Sequence, residues 1–401
     1  MSQKLIDEMS VKELAQHWYE LFNQTTLDLG LDTDYSKAGC TELAEIGTET
    51  RRLAHEKNLL LLAHYYMRPE IQKVCHFVND SLGLGLKAQE LIRGQSSSRI
   101  SAVWLSAVRF MGDTVKIILG DKISVFMPKF SGCSLVASLN NIPFDYRYHS
   151  EQETSIKLLE KRRDRHPVDA WLKENPGGIV LSYMNSDTES KRKSWAIFTS
   201  RNALKVLESA MRENPGKRVY MLPDQFLSNF VLNMARANHN LWIKPELVDI
   251  FDGLCHVHAQ KINPLALDEA LTQYPNAALT VHPECGCAVD CFVRVAKGLI
   301  PRPTFIGSTQ EMIEFAKRPD TPDEIIVATE AGHVFTLRDA VPGKIFYPVT
   351  SKATCEFMKA TKLEDLYNAV NSSDWNKHEV RLDSAVIRDA RPAMDRMRAN
   401  A

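Results

Sequence analysis

The stretch "NLLLLAHYY", residues 58–66, is an unbroken apolar run that stops abruptly in a histidine and two tyrosines. A short continuous apolar run of this kind reads as a strand buried on both faces, as in a parallel sheet. Two other stretches share its design, "GGIVLSYMN" (177–185) and "NAALTVHPE" (276–284). Aligned end to end, they place His64 and Tyr66, Tyr183 and Asn185, and His282 and Glu284 at matching strand ends.

Downstream of each run a small hydroxyl residue opens an apolar-periodic helix: Ser81 in "NDSLGLGLKAQELI", Ser200 in "FTSRNALKVLESAM", Ser308 and Thr309 in "GSTQEMIEFAK". Serine and threonine are favoured N-caps, and helix N-termini also attract anions. Further strands follow in "ISAVWLSAV" and "KISVFMP", "KRVYMLP" and "ELVDIFD", "DEIIVATE" and "KIFYPV". One cysteine then closes each segment: Cys133, Cys255 and Cys355. The interval from strand end to cysteine is 69 residues (64 to 133), 72 (183 to 255) and 73 (282 to 355). A strand-and-helix module repeated three times predicts an α/β fold of three pseudo-symmetric, three-layer domains with parallel sheets around a central site. Ligand sites of open parallel sheets lie beyond the carboxyl ends of the strands, so the three lone cysteines should converge.

Composition narrows the function. In 401 residues, 49 Lys and Arg nearly cancel 50 Asp and Glu, so no global field favours nucleic acid or an anionic membrane surface. The basic runs "KRRDR" (161–165) and "KRK" (191–193) are too short and too mixed with acids to change that. The opening "MSQKLIDEMSVKELAQHWYELF" reads as a charged amphipathic helix rather than a signal peptide, and no apolar run reaches the roughly 18 residues of a membrane span. A cytoplasmic protein with eight reduced cysteines is expected, their roles being metal ligation, catalysis or inert burial. The dense "HPECGCAVDC" (282–291) lacks the Cys-x2-Cys pair of zinc ribbons, and its Cys285, Cys287 and Cys291 read better as buried small thiols. "GLGLKA" (83–88) mimics a dinucleotide fingerprint but has no acidic residue about 20 positions on, so its glycines read as a packing device.

These residues resemble quinolinate synthase, an iron-sulfur enzyme family of NAD biosynthesis. The likeness rests on an ordered series: "AHYYMRPEIQ", "NDSLGL", "FMGDTVKI", "GCSLVAS", "SYMNS", "TSRNA", "LPD", "CHVHA", "HPEC", "GSTQEMI", "TEAG", "TCEFMKATKLEDLYNAV" and the tail "AVIRDARPAMDRMRA". It covers about residues 45 to 401 and thins between 136 and 175 and between 226 and 252. The resemblance implies a helical extension at 1–44, a first repeat at 45–135 completed by 356–401, a second at 136–256 and a third at 257–355. It implies a 4Fe-4S cluster held by Cys133, Cys255 and Cys355 with one iron open. The reaction it implies condenses iminoaspartate with dihydroxyacetone phosphate to quinolinate, the imine coming from a separate iminoaspartate-producing enzyme.

By the same resemblance Tyr66, His282 and Glu284 form the proton-transfer set, and His64, Tyr183, Asn185 and His258 hold substrate. Ser81, Ser200, Ser308 and Thr309 would hold the phosphate and carboxylates, where the plainer alternative is N-capping worth about 1 kcal/mol each. Lys191 matches a lysine of the family, or is a solvated charge beside Arg192 and Lys193. The chain departs from the family pattern at "SAVRFM" (106–111), at Phe198 and in "DTESKRK" (187–193). Two other classes stay open: a divergent homologue acting on another small dicarboxylate, and a noncatalytic electron carrier, which would want Cys285 as a fourth ligand.

Overall fold

The computed structural model describes residues 5–25, 29–93, 100–140 and 166–400, with the side chains of 88, 89 and 91–93 left aside. The run "KRRDR" lies outside the described residues. Twelve strands form three separate four-stranded parallel sheets. The first contains β1 (Leu59–His64), β2 (Phe77–Asn79), β3 (Ala102–Ser106) and β4 (Ser124–Phe126). The second contains β5 (Ile179–Tyr183), β6 (Ala196–Phe198), β7 (Val219–Leu222) and β8 (Val248–Ile250). The third contains β9 (Ala278–Val281), β10 (Thr304–Ile306), β11 (Glu324–Ala328) and β12 (Ile345–Pro348). The spatial orders are β2-β1-β3-β4, β6-β5-β7-β8 and β10-β9-β11-β12, so one topology recurs three times.

In each sheet the chain leaves the first strand toward one edge, then crosses back over it to the other side. That reversal opens a crevice at the carboxyl end of the first strand, where such sheets bind ligands. The apolar runs read from sequence are β1, β5 and β9, and all but Leu60 among their residues are buried, because neighbours flank them on both edges and helices cover both faces. The edge strands β2, β6 and β10 escape the sequence reading. Each is three residues long, too short to carry a periodic signal.

Glycine confirms its packing role at Gly83 and Gly85, where a Cβ would lie 2.1 Å from the Asn79 side chain and 3.3 Å from Ile118 of the helix Arg109–Leu119. At the amino end, Ser10 and Glu13 form a capping box on the helix Val11–Phe22, which buries Trp18 and Phe22 against the long helix Lys37–Glu56. Their close approach needs Gly47, since a Cβ there would stand 2.7 Å from the Trp18 ring. The helix Lys37–Glu56 runs unbroken through residue 44, so extension and first sheet share one element. The C-terminal segment returns to the first sheet: Phe126 of β4 bridges Glu379, and Trp375 meets Trp104 edge-on with ring centroids 5.5 Å apart. The last helix, Ser384–Ala399, lies between the first and second units, touching the helix Arg109–Leu119, the helix Thr188–Lys193 and β6.

Trp104 is fully buried and stacks on Phe126 while meeting Trp375. Trp104→Ala should cost about 3–5 kcal/mol in urea unfolding. Combined with Trp375→Ala it should fall short of additivity by at least about 0.5 kcal/mol. Strict additivity would show that the C-terminal segment does not complete the first core.

Candidate active site

The carboxyl ends of β1, β5 and β9 face one cavity. Every ligand, proton-transfer and substrate candidate read from the sequence lines it except Ser308: Cys133, Cys255, Cys355, His64, Tyr66, Ser81, Tyr183, Asn185, Ser200, His258, His282, Glu284 and Thr309. The local turns after β1 and β9 are alike. His64 Nδ1 accepts from the Tyr66 amide at 3.1 Å, and His282 Nδ1 accepts from the Glu284 amide at 3.4 Å. An accepting Nδ1 puts the proton of each neutral ring on Nε2.

Two of the expected caps, Ser81 and Ser200, need correction, and the third, Ser308, stands apart from the cavity. Ser308 does cap the helix Thr309–Ala316, but its hydroxyl is engaged with Glu311 in a capping box and is absent from the cavity wall. Ser81 is not a cap, because the Asp80 carboxylate accepts from the Gly83 amide at 2.7 Å and does that work. Nor is Ser200: the helix Ala203–Glu213 begins after Asn202, whose Oδ1 accepts from the Thr199 amide at 2.8 Å. At Ser81 the neighbouring carboxylate takes the capping bond, at Ser200 the helix simply starts later, and both serines line the cavity.

The cysteines show a regularity that the spacing alone did not reveal. Each occupies the N-cap position of a helix: Cys133 before Ser134–Leu139, Cys255 before the π-helix His256–Lys261, Cys355 before Glu356–Lys359. The backbone amides of Leu135 and Val136, of His258 and of Met358 favour the thiolate form of these sulfurs, although no cap hydrogen bond closes at any of the three. Burial works against these donors, pushing Cys133 up to about 11, Cys355 up to about 12 and Cys255 well above the usual thiol range. Thiolates here therefore call for a bound cation, and three sulfurs presented by equivalent turns suit an iron-sulfur cluster. His258 stands beside them, its Nδ1 3.3 Å from Cys255 Sγ and 3.3 Å from Glu284 Oε2. Cys285 is different. It is fully buried with Cys287 and Cys291 in the apolar core of the third unit, donates to the Ala328 carbonyl at 3.3 Å and does not line the cavity.

Desolvation also sets the protonation of the remaining groups. His64, His258 and His333 are pushed down to about 3 and His282 well below its ordinary value, so all are neutral at pH 7. Burial, reinforced by the nearby Asp224 carboxylate, raises Glu284 above the usual carboxylate range, and its Oε1 accepts the Tyr183 hydroxyl. Tyr66 and Tyr183 are raised by burial as well. Among the described residues no lysine or arginine lines the cavity.

Several participants went unassigned in the sequence. Thr329 Oγ1 lies 2.7 Å from the Tyr66 hydroxyl and 3.1 Å from His258 Nε2. Glu330 is fully buried, accepts from the Cys355 amide at 3.1 Å and pairs with Lys359 at 3.1 Å. Asp224 caps the helix Gln225–Ala237, its Oδ1 accepting from the Leu227 amide at 2.8 Å. Both carboxylates sit just beyond the second inner strand of their sheets, and the strings "LPD" and "TEAG" were their signal. Lys191 is no solvated charge: it is fully buried, donates to the Phe110 carbonyl at 3.1 Å and is lowered to about 8 by burial. It holds the wall from behind. Phe198, one of the departures, stacks on Tyr183 with centroids 5.5 Å apart.

A family model described as quinolinate synthetase A protein matches residues 48–399. The chain belongs to the quinolinate synthetase A family. It is 33% identical over 352 residues to a quinolinate synthase of Thermus thermophilus, covering 88% of this chain and 96% of that one. The quinolinate synthase of Pyrobaculum aerophilum is 30% identical, covering 87% and 97%, and that of Mycolicibacterium paratuberculosis 33%, covering 92% and 94%. The quinolinate synthetase A match spans all twelve strands and every residue of the cavity wall.

A raised carboxyl in the folded state means that the folded protein keeps a proton which the unfolded chain releases. Its stabilisation is complete below the ordinary value of 4.5 and is lost as pH rises toward the folded value. The urea midpoint of the metal-free protein should therefore fall between about pH 5 and about pH 8, and Glu284→Gln should flatten that fall. Equal slopes in the two proteins would refute the desolvated carboxyl.

Proposed function

We propose that this chain is a quinolinate synthase that condenses iminoaspartate with dihydroxyacetone phosphate, releasing phosphate and two waters. The observation that carries the reading is the convergence, on one cavity with no lysine or arginine among its described lining residues, of three N-cap cysteines and a set of neutral proton donors. Cys133, Cys255 and Cys355 would hold a 4Fe-4S cluster. When bound through three thiolates, it supplies an open iron as a Lewis acid for a departing hydroxyl. Cys285, bonded elsewhere, offers no fourth thiolate, which speaks against a pure electron carrier.

The protein's own groups do the rest. Tyr66, His282 and Glu284 move protons: the Tyr66 hydroxyl is aimed by Thr329, the His282 Nε2–H by the Glu284 amide, and Glu284 enters neutral and able to donate. Tyr183 and Asn185 orient the substrate, with His64 and His258 closing the wall. The hydroxyls of Ser81, Ser200 and Thr309 and the N-termini of their helices hold the carboxylates and phosphate, and Ser308 fixes the last of these N-termini. Neutral dipoles of this kind bind dianions without trapping the product as strongly as buried cations would. The unstable imine implies a supplying enzyme in the same compartment, and the reduced cysteines suit the cytoplasm.

Anaerobically reconstituted protein should form quinolinate. Tyr66→Phe and Glu284→Gln should keep their iron and lose about 10²- to 10⁴-fold in turnover. A loss below about tenfold in either variant would remove that residue from the proton-transfer set.

Iron content tests the ligands separately. Cys133→Ser, Cys255→Ser and Cys355→Ser should each lose the cluster, whereas Cys287→Ser and Cys291→Ser should retain it. Full iron in the Cys133 variant contradicts the ligand assignment.

A further inference from the structure

Residues 29–36 lie ahead of the part matched by the family model, which begins at residue 48, yet they touch two loops of the cavity. The Arg68 guanidinium, nearly fully buried two residues after Tyr66, donates to Asp32 at 2.7 Å, to Thr33 at 2.6 Å and to the Lys359 carbonyl at 2.8 Å. Asp32 also pairs with Lys362 at 2.7 Å. Thr354, the neighbour of Cys355, donates its hydroxyl to the Leu29 carbonyl at 3.2 Å. The buried Tyr35 hydroxyl donates to the buried Glu70 carboxylate at 2.6 Å, and its ring packs on Phe22, which in turn meets Phe335 of the third unit.

Inside the protein the circuit closes. Lys359 Nζ donates to the Tyr66 carbonyl and pairs with Glu330, whose carboxylate receives the Cys355 amide. The path from Tyr66 through Lys359, Glu330, Cys355 and Thr354 thus returns through Leu29, Asp32 and Arg68 to its start. Two segments of this ring carry cavity groups; the third is the arm.

We propose that residues 29–36 are a positioning strap of the catalytic unit, with Asp32 and Arg68 as positioning residues that fix the Tyr66 loop against the Cys355 loop. The catalytic half of this inference rests on the role given to Tyr66 above. Such groups must be held within about 0.5 Å of their working geometry, and a displacement of about 1 Å can cost 10²-fold in rate. Packing alone does not set that tolerance.

The test uses full-length protein. Asp32 is largely exposed, so Asp32→Ala combined with Thr33→Ala opens no apolar cavity and acts by taking from the buried Arg68 two of its three partners. This variant should lower kcat by about tenfold with KM unchanged, and should lose iron to a chelator several times faster than wild type. Asp32→Asn, which keeps an accepting oxygen, should recover most of both. Asp7→Ala, which removes the Arg51 ion pair at the other end of the extension, should lower thermal stability and change neither. Wild-type kcat and chelator resistance in the double variant would overturn the strap, as would the same losses in Asp7→Ala. The chelator measurement needs no turnover, so it tests the strap even if the product is not quinolinate.

Discussion

Three sulfurs buried around one cavity cannot ionise together in a low-dielectric interior unless positive charge meets them, and the described cavity wall contains no lysine or arginine. The protein answers with partial charges. Each sulfur sits at a helix N-cap, where the unsatisfied amides of the first turn point outward and the dipole favours an anion. This lowers the cost of ionisation without removing it, and the thiols stay raised. The remainder is left to whatever cation occupies the site. The same desolvation keeps four histidines neutral and favours the protonated form of Glu284.

One topology made three times solves the geometric problem of bringing distant cysteines together, but the three copies have diverged. In the third unit a carboxylate after the second inner strand, Glu330, grips the amide of that unit's cysteine, whereas Asp224 at the same place in the second unit caps the helix that follows. The first unit has Val108 at this place and uses backbone instead, the Arg109 amide donating to the Ser131 carbonyl at 2.8 Å. The strand ends differ too. Histidine is followed by tyrosine or glutamate in the first and third units, while the second offers Tyr183 and Asn185. Pseudo-symmetry builds the cup, and its breaking gives the three walls different chemistry.

Much of this was legible because it depends on pattern. Buried parallel strands announce themselves as apolar runs, and a repeat makes a lone cysteine stand out, so β1, β5, β9, Cys133, Cys255 and Cys355 could be read directly. Caps could not, since Ser81 and Asp80, or Ser200 and Asn202, are all competent and only the backbone path decides. Lys191 misled because its neighbours Arg192 and Lys193 pair at the surface with Asp389 and Asp169, whereas it turns inward. Thr329, Glu330 and Lys359 act through contacts between segments far apart in sequence, so the strings that contain them marked the residues without saying what they touch.

The residue following each cysteine completes the geometry. Ser134, His256 and Glu356, each next to the cysteine of one unit, meet one another: the Ser134 hydroxyl lies 3.2 Å from His256 Nδ1, and His256 Nε2 lies 2.8 Å from Glu356 Oε2. Lys261 adds a bond to Glu356 at 2.8 Å. Because each partner is covalently next to a cluster-candidate cysteine, no sulfur can drift from the others without stretching this chain of bonds. The contact lies within the protein and needs no metal to form. Hydrogen bonds between protein groups thus tie the three cysteine-bearing turns to one another.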